Sequence, residues 1–368
     1  MQEVLIESKA QVLRRSLLAW YRRRARALPW RRRRDPYAIW VSEVMLQQTQ
    51  VTTVVPYFER FLRAFPTVRH LARAPQERVL RLWAGLGYYR RARDLHQAAQ
   101  QLLLKWGGRF PRDERELRSL PGVGRYTARA ILSIAFNHAC SVLDGNVARV
   151  MARLTAWRGV STTSACRHHL ERQLDCLFSR RSPGNFNQAL MELGQTVCLP
   201  RAPRCPACPL RAGCLAHQSG NAEAYPAPRP RRKAEVRYLA SAVIRRAEKV
   251  ALVRGLDEKL LTDLWNFPAA FGHSPLQALA RLRRRLKQIP FCSIRLGPRL
   301  GELTHRITYR SIQVRLYAGE VIPRDAQVPF RWFPLGQVEG HAVSQLARKI
   351  AAKVREIPPA GPGPNSRG

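Results

Sequence analysis

Four cysteines lie in one short stretch: Cys198, Cys205, Cys208 and Cys214, spaced C-x6-C-x2-C-x5-C and interleaved with Pro200, Pro203, Pro206 and Pro209. Four thiolates in one irregular loop can wrap a single metal centre. Zinc sites more often use two separated C-x2-C knuckles. A continuous four-cysteine loop suits an iron–sulfur cluster at least as well. Cys140, Cys166, Cys176 and Cys292 are scattered and read as small core residues. Upstream, residues 120–127 read LPGVGRYT and run into an apolar helical stretch. Gly122 and Gly124 lack a Cβ, so the backbone N–H groups of this hairpin can approach a phosphate at a helix N-terminus. Asp144 follows an apolar stretch and precedes Gly145. A carboxylate there caps a helix. Beside a bound phosphodiester it also sits near a sugar, where it can stabilise an oxocarbenium-like transition state.

The elements that must position these groups are of two kinds. Apolar residues recur at helical spacing over 12–21, 36–65, 75–83, 91–106 and 127–136, with Pro and Gly between them. Residues 217–235, rich in Pro, Ala and Arg at their core, read as a linker. Beyond it, 236–253 is rich in β-branched residues. In 306–317, Ile307, Tyr309, Ile312, Val314 and Leu316 are separated by polar residues, as in a strand. Residues 275–286 and 341–354 read as helices. The pattern predicts a helical domain over 1–216, a smaller α+β domain over 236–355 and a disordered tail over 356–368.

Composition narrows the class of partner. Apolar residues make up 45% of the 368, which excludes a disordered chain. Lys and Arg number 64 against 25 Asp and Glu, a net charge of +39. Both halves are basic, so the expected partner is a polyanion, with nucleic acid ahead of an anionic membrane. There is no apolar run of membrane-spanning length and no secretory pattern at the start. The expectation is a monomeric, cytoplasmic, nucleoid-associated protein whose cysteines are reduced or metal-bound.

Taken together, LPGVGRYTA, the DGNVARV that follows and the four-cysteine loop resemble the helix-hairpin-helix DNA glycosylases that carry an iron–sulfur cluster. Within that superfamily the chain resembles the adenine DNA glycosylase (MutY) family. The stretches LPWRRRRDPYAIWVSEVMLQQTQV (28–51), WAGLGYYRRARDLH (83–96) and FNQALMELGQTVC (186–198) carry the likeness. It is close over about 1–215 and looser over 236–355, where LWNFP (264–268) and LTHR (303–306) fall. The fold so implied is an all-α glycosylase domain with its helix-hairpin-helix at about 116–136 and a cluster loop at 198–214. A Nudix-like α+β domain follows.

The resemblance implies removal of adenine mispaired with 8-oxoguanine, and with guanine, from double-stranded DNA. Glu43 would be the acid that protonates N7, its pKa raised by the apolar Val41, Val44, Met45 and Leu46. Asp144 would support the cationic sugar, with Asn146 orienting the site. Tyr126 stands where endonuclease III-like enzymes place a Schiff-base lysine, so a monofunctional enzyme leaving an abasic site is expected. The flipped adenine would lie among Trp30, Arg31, Leu46, Val51 and Gln188. Gln48 and Tyr88 would wedge into the stack, with Thr49 and Leu86 beside the 8-oxoguanine. The cysteines would hold a 4Fe–4S cluster. The second domain lacks the acidic Nudix metal signature, so nucleotide hydrolysis is not expected. Its reading loop would be Leu303, Thr304 and His305, where the family carries Phe-Ser-His. Arginine-rich stretches at 22–34, 90–93 and 281–285 are expected to meet phosphates. The alternatives are an endonuclease III-like glycosylase/lyase acting on oxidised pyrimidines, which Tyr126 opposes, and a non-catalytic cluster-containing DNA-binding protein, which Glu43 and Asp144 oppose.

Overall fold

A computed structural model describes residues 7–160, 163–227, 234–255, 264–289, 292–307, 309–323 and 330–357. The tail expected to be disordered lies, from residue 358 on, outside the described residues, as does 228–233 of the linker. The chain divides into two compact units. One comprises Met1–Arg73 and Asp94–Arg231; the other comprises Ala74–Arg93 and Arg232–Gly368.

The first unit is helical: α1 (Glu7–Arg24), α2 (Pro36–Leu46), α3 (Val51–Ala64), α4 (Val68–Arg73), α6 (Arg90–Trp106, which crosses the division), α7 (Glu114–Arg118), α8 (Arg125–Phe136), α9 (Gly145–Leu154), α10 (Ser164–Leu177), α11 (Pro183–Thr196) and α12 (Leu215–Gln218). The helix α5 (Gln76–Trp83) belongs to the second unit. Residues 36–65, expected as one helical stretch, form two helices. The chain breaks at 47–50, where Gln48 has φ 59°. No Pro or Gly marks that break. Asp35 starts α2 by accepting from the N–H groups of Tyr37 and Ala38 at 3.1 and 3.3 Å, with Pro36 at the first helical position.

Three helices meet closely because two glycines allow it. A Cβ on Gly184 of α11 would lie 2.6 Å from the Ser133 carbonyl oxygen of α8. One on Gly194 would lie 2.7 Å from the Asn146 Cβ of α9. Asn187, fully buried on α11, donates to the Ser133 hydroxyl and the Cys140 carbonyl, both at 2.9 Å, and accepts from Val142 N–H at 3.2 Å. A side chain that satisfies these buried groups fixes the approach to Asp144.

The second unit is built on a mixed seven-stranded sheet of order β3-β2-β1-β6-β5, with β4 beside β1 and β7 beside β2. Its strands are β1 (Glu235–Arg246), β2 (Lys249–Arg254), β3 (Trp265–Asn266), β4 (Ala269–Gly272), β5 (Cys292–Ile307), β6 (Arg310–Pro323) and β7 (Arg331–Pro334). The β1–β6 pair is parallel and the other pairs are antiparallel. Alternation along β1 sends Leu239 and Val243 to a core with Ile350 and Val354 of α14 (Gln345–Arg355). It sends Ala240, Ala242 and Ile244 to a core with Leu282 and Leu286 of α13 (Pro275–Lys287). The alternating stretch 306–317 is therefore two strand ends: β5 closes at Ile307 and β6 opens at Arg310. The period of two slips by one residue between Tyr309 and Ile312, which is where the chain turns.

Candidate active site

Glu43 sits on α2, 6% exposed, among buried Val44, Met45 and Ile39. Tyr126, in the first turn of α8, donates its hydroxyl to Glu43 Oε2 at 2.6 Å and lies 3.4 Å from Met191 Sδ. Burial pushes the Glu43 carboxyl up to about 7 against the opposing hydrogen bond from Tyr126, and nearby Asp144 adds to the rise. Burial, then the charges of Glu43 and Asp144, hold the Tyr126 phenol well above its ordinary value, so it remains a donor. Tyr126, expected as the residue in place of a Schiff-base lysine, thus bonds the carboxyl expected as the acid.

Asp144 is the N-cap of α9. Its Oδ1 accepts from Val147 N–H at 2.6 Å and its Oδ2 from the Asn146 amide at 3.0 Å. Burial raises its pKa, opposed by those hydrogen bonds and by the Arg149 charge. The buried Glu43 carboxyl and the half-buried Asp144 carboxyl thus differ in what surrounds them: Glu43 has one donor and Asp144 a capped helix start, an amide and a guanidinium. Arg149 continues the chain, donating to Asn146 Oδ1 at 3.0 Å, to the Gly194 carbonyl at 2.7 Å and to the Cys198 carbonyl at 2.9 Å.

Glu43, Leu46 and Val51 line both a small cavity and the wider cleft that holds Tyr126, Asp144 and Asn146. The cavity wall also includes Trp30, Arg31 and Gln188. Gln48 and Thr49 line the cleft, with Gln48 in the left-handed region. The sequence did not single out Glu192, Arg26, Met191 or Gln195. Glu192 is fully buried and accepts from Arg26 Nε at 2.6 Å, Arg26 Nη2 at 2.9 Å and Arg31 Nη2 at 2.9 Å. Arg26 Nη2 also donates to Gln195 Oε1 at 2.6 Å. Burial would raise the Glu192 carboxyl, but the hydrogen bonds from Arg26 and the two cationic charges outweigh it and hold it low. The spacing Gln188, Glu192, Gln195 on one apolar helix is the signal that could have found it: i, i+4 and i+7 share a face. Removing one member of a buried pair leaves uncompensated charge, so Glu192→Ala should cost about 3–5 kcal/mol in urea unfolding. It should also free Arg31 and raise KM; unchanged stability would show that the pair is not the brace of this wall.

Around the hairpin, Asp113 caps α7, accepting from Arg115 and Glu116 N–H at 2.8 and 3.0 Å. Gly122 has φ +72°, and a Cβ there would lie 2.7 Å from Asp94 Cβ, so both backbone and space require glycine. Gly124 is the N-cap of α8, with nothing within 4 Å of a built Cβ. The turn is tight on one side and open at the helix N-terminus.

The cysteine loop follows α11. Arg153, 2% exposed on α9, donates to Cys198 Sγ at 3.3 Å and to the carbonyls of Leu199, Pro200 and Tyr225 at 2.6, 3.0 and 3.0 Å. Burial pushes the Cys208 thiol up to about 12, with Cys198, Cys214 and Cys205 adding to the rise. Among the described residues, no three His, Cys, Asp or Glu side chains stand as a single ion would need.

In the second unit, Thr304 and His305 lie on β5 itself, paired with Gln313 and Ile312 of β6, and not in a loop. Consecutive strand residues face opposite ways, so Thr304 is exposed while His305 is buried, its Nδ1 without a partner among the described residues. Burial, then the charge of Lys349, lowers the His305 pKa. Leu86 is buried and Tyr88 is 46% exposed with φ 49°. The arginine-rich stretches are not uniform: Arg32, Arg33 and Arg34 are exposed while Arg26 and Arg31 hold Glu192, and Arg285 donates to the Ala269 carbonyl. No helix among the described residues is long and apolar enough to cross a membrane.

A helical unit with a glycine hairpin at one helix start and a capped aspartate at another defines a class, and residues 41–176 match the HhH-GPD superfamily of base excision DNA repair proteins. A thermostable thymine-DNA glycosylase superposes with a TM-score of 0.53 at 26% identity, covering 58% of this chain and 98% of that one. The chain is 36% identical to adenine DNA glycosylase of Rattus norvegicus, covering 92% of this chain and 77% of the relative. It is 34% identical to adenine DNA glycosylase of Homo sapiens, covering 93% and 74%. The chain belongs to the adenine DNA glycosylase family and is a DNA glycosylase.

Proposed function

We propose that this enzyme hydrolyses the N-glycosidic bond of adenine opposite 8-oxoguanine, and more weakly opposite guanine, in duplex DNA, leaving an abasic site. The observation that carries the reading is the juxtaposition of Glu43 and Asp144 on one cleft, with an adjoining cavity walled by Trp30, Arg31 and Gln188. A flipped adenine enters that cavity and meets the Gln188 amide. Glu43, whose raised pKa keeps much of it protonated up to about pH 7, gives its proton to N7. The C1′–N9 bond breaks with its electron pair going to the base, and Asp144 stabilises the cationic sugar. Water supplies the hydroxyl at C1′, and its proton restores the Glu43 acid. Open space at Gly124 and the start of α8 takes a phosphate, and Gln48 enters the stack.

The second domain reads the base opposite adenine in a Nudix-like framework. Exposed Thr304 contacts the 8-oxoguanine side, and buried His305 stiffens the strand behind it. The test is base release from oligonucleotides that differ only opposite adenine. Release that is fastest with 8-oxoguanine supports the reading; equal rates with every opposing base sink it.

Cys198, Cys205, Cys208 and Cys214 would hold a 4Fe–4S cluster, which supplies a rigid cross-link and a redox-active centre to the loop. The donor set fits. Cys208 and Cys214 lie within electrostatic reach of the other cysteines of the loop, Cys198 Sγ accepts from the Arg153 guanidinium, and N–H groups of Leu210, His217 and Ala216 face the Cys208 and Cys214 sulfurs. This suits the charge of a thiolate-ligated cluster. Iron and acid-labile sulfide should be present in equal amounts, and Cys208→Ser should lower both; a stoichiometric zinc content with no sulfide would refute it.

Tyr126 makes the reaction monofunctional, since a phenol forms no Schiff base at C1′. Tyr126→Lys should yield a borohydride-trapped enzyme–DNA species and strand nicking that the parent lacks. A parent that itself traps would refute the assignment.

A further inference from the structure

The turn that carries Leu86 and Tyr88 is held in one conformation by its neighbours in sequence. Gly85 and Gly87 have φ 112° and 74°, and Tyr88 takes a left-handed φ of 49°, which a bulky residue adopts only under constraint. Trp83 Nε1 donates to the Gly87 carbonyl at 3.2 Å. Arg91 donates to the same carbonyl at 3.3 Å, and its guanidinium lies 5.5 Å from both the Trp83 and Tyr88 ring centres. Tyr89 is buried; its hydroxyl accepts from Gly85 N–H at 3.4 Å and donates to the Val343 carbonyl at 3.2 Å.

The Tyr89 contact reaches 254 residues along the chain, to the segment that leads into α14. A second tie joins Glu77 of α5 to Arg254 of β2 at 3.3 Å and Arg331 of β7 at 3.6 Å; those two arginines lie over Trp265. The ion pairs are exposed and individually weak. The buried Tyr89 hydroxyl is the specific link. Hence Ala74–Arg93, which lies in sequence between helices of the glycosylase unit, packs as part of the α+β unit with Thr304 and His305.

We propose that Tyr89, with Arg91 and Trp83, is a positioning residue: it presents Tyr88 to the duplex and fixes that wedge to the unit that reads the opposing base. The inference rests on the reading of Tyr88 as a wedge. One body then carries both the wedge and the reader, so recognition at Thr304 is registered with the opening of the stack.

The test uses the full-length, cluster-loaded enzyme and a duplex bearing 2-aminopurine beside 8-oxoguanine opposite an uncleavable adenine analogue. Tyr89→Phe keeps the ring and deletes only the bridging hydroxyl. It should cut the 2-aminopurine fluorescence rise on binding. It should also lower the preference for adenine opposite 8-oxoguanine over adenine opposite guanine by about fivefold, the worth of one buried hydrogen bond. Arg91→Lys, which keeps the charge and loses the planar fork, should shift the same two readouts. Far-UV circular dichroism and the iron content of Tyr89→Phe should match the parent, which a general loss of fold would not allow. If Tyr88→Ala abolishes the fluorescence rise while Tyr89→Phe and Arg91→Lys leave it and the preference at parent level, the inference is overturned and the wedge stands. If Tyr88→Ala leaves the rise intact, the wedge reading fails and takes the inference with it.

Discussion

Glu43→Gln should lose adenine release by about 10²–10⁴-fold in single-turnover assays while binding the mispaired duplex like the parent. The amide keeps the shape and still accepts from the Tyr126 hydroxyl, so the change removes a proton donor and little else. The same variant should be more stable than the parent at neutral pH. Burial raises the Glu43 carboxyl from 4.5 to about 7, so between those values the folded protein binds a proton that the unfolded chain does not. Stability therefore falls as pH rises through that window, and the whole penalty is present above it. A shift of that size corresponds to about 3 kcal/mol, which glutamine escapes. Urea unfolding should show Glu43→Gln gaining stability near pH 8 and no gain below the unfolded pKa. Parent-like cleavage by Glu43→Gln would remove it from the role of acid.

Asp144→Asn should lower release by about 10²–10³-fold, the usual loss when a group aimed at developing charge is neutralised. Asparagine is as good an N-cap as aspartate, so α9 should still start at the same place. The cost to the fold should be small, about 1 kcal/mol, because the new amide faces the Asn146 amide that donates to Asp144 Oδ2. Far-UV circular dichroism and urea unfolding should be close to those of the parent, and duplex affinity should fall with the lost attraction to the cationic sugar in a transition-state analogue. Loss of helix content together with activity would mean that Asp144 only caps.

The two-part organisation was legible because helical and strand periods differ and a Pro-rich stretch parts them. The break at 47–50 was not, since no breaker residue marks it; Gln48 is left-handed because α2 and α3 pack where they do. The β5–β6 hairpin left only a one-residue slip in the alternation, between Tyr309 and Ile312, and the stretch was read as one strand through it. Residues that meet in the cavity come from five separate stretches, so no local pattern joins them, and the resemblance alone proposed Trp30, Arg31, Leu46, Val51 and Gln188 together. Arg26 was read with its neighbours as meeting phosphates, and Arg31 also as lining the adenine pocket. They bind Glu192 because that carboxylate is buried, which charge counting along the chain does not reveal. Likewise, Tyr126 bonds Glu43 because α8 crosses α2 at that turn, a fact of packing.

Both proposed roles depend on Glu43 holding a proton where Asp144 does not. The measurement that reads this most directly is the carboxyl C=O infrared band of the parent minus that of Glu43→Gln, followed across pH with the single-turnover release rate. The protonated-acid band should be nearly full at pH 6, fall to half together with the rate near pH 7, the value burial gives Glu43, and vanish well above it. A band already gone at pH 6, with release still at its full rate, would contradict the mechanism.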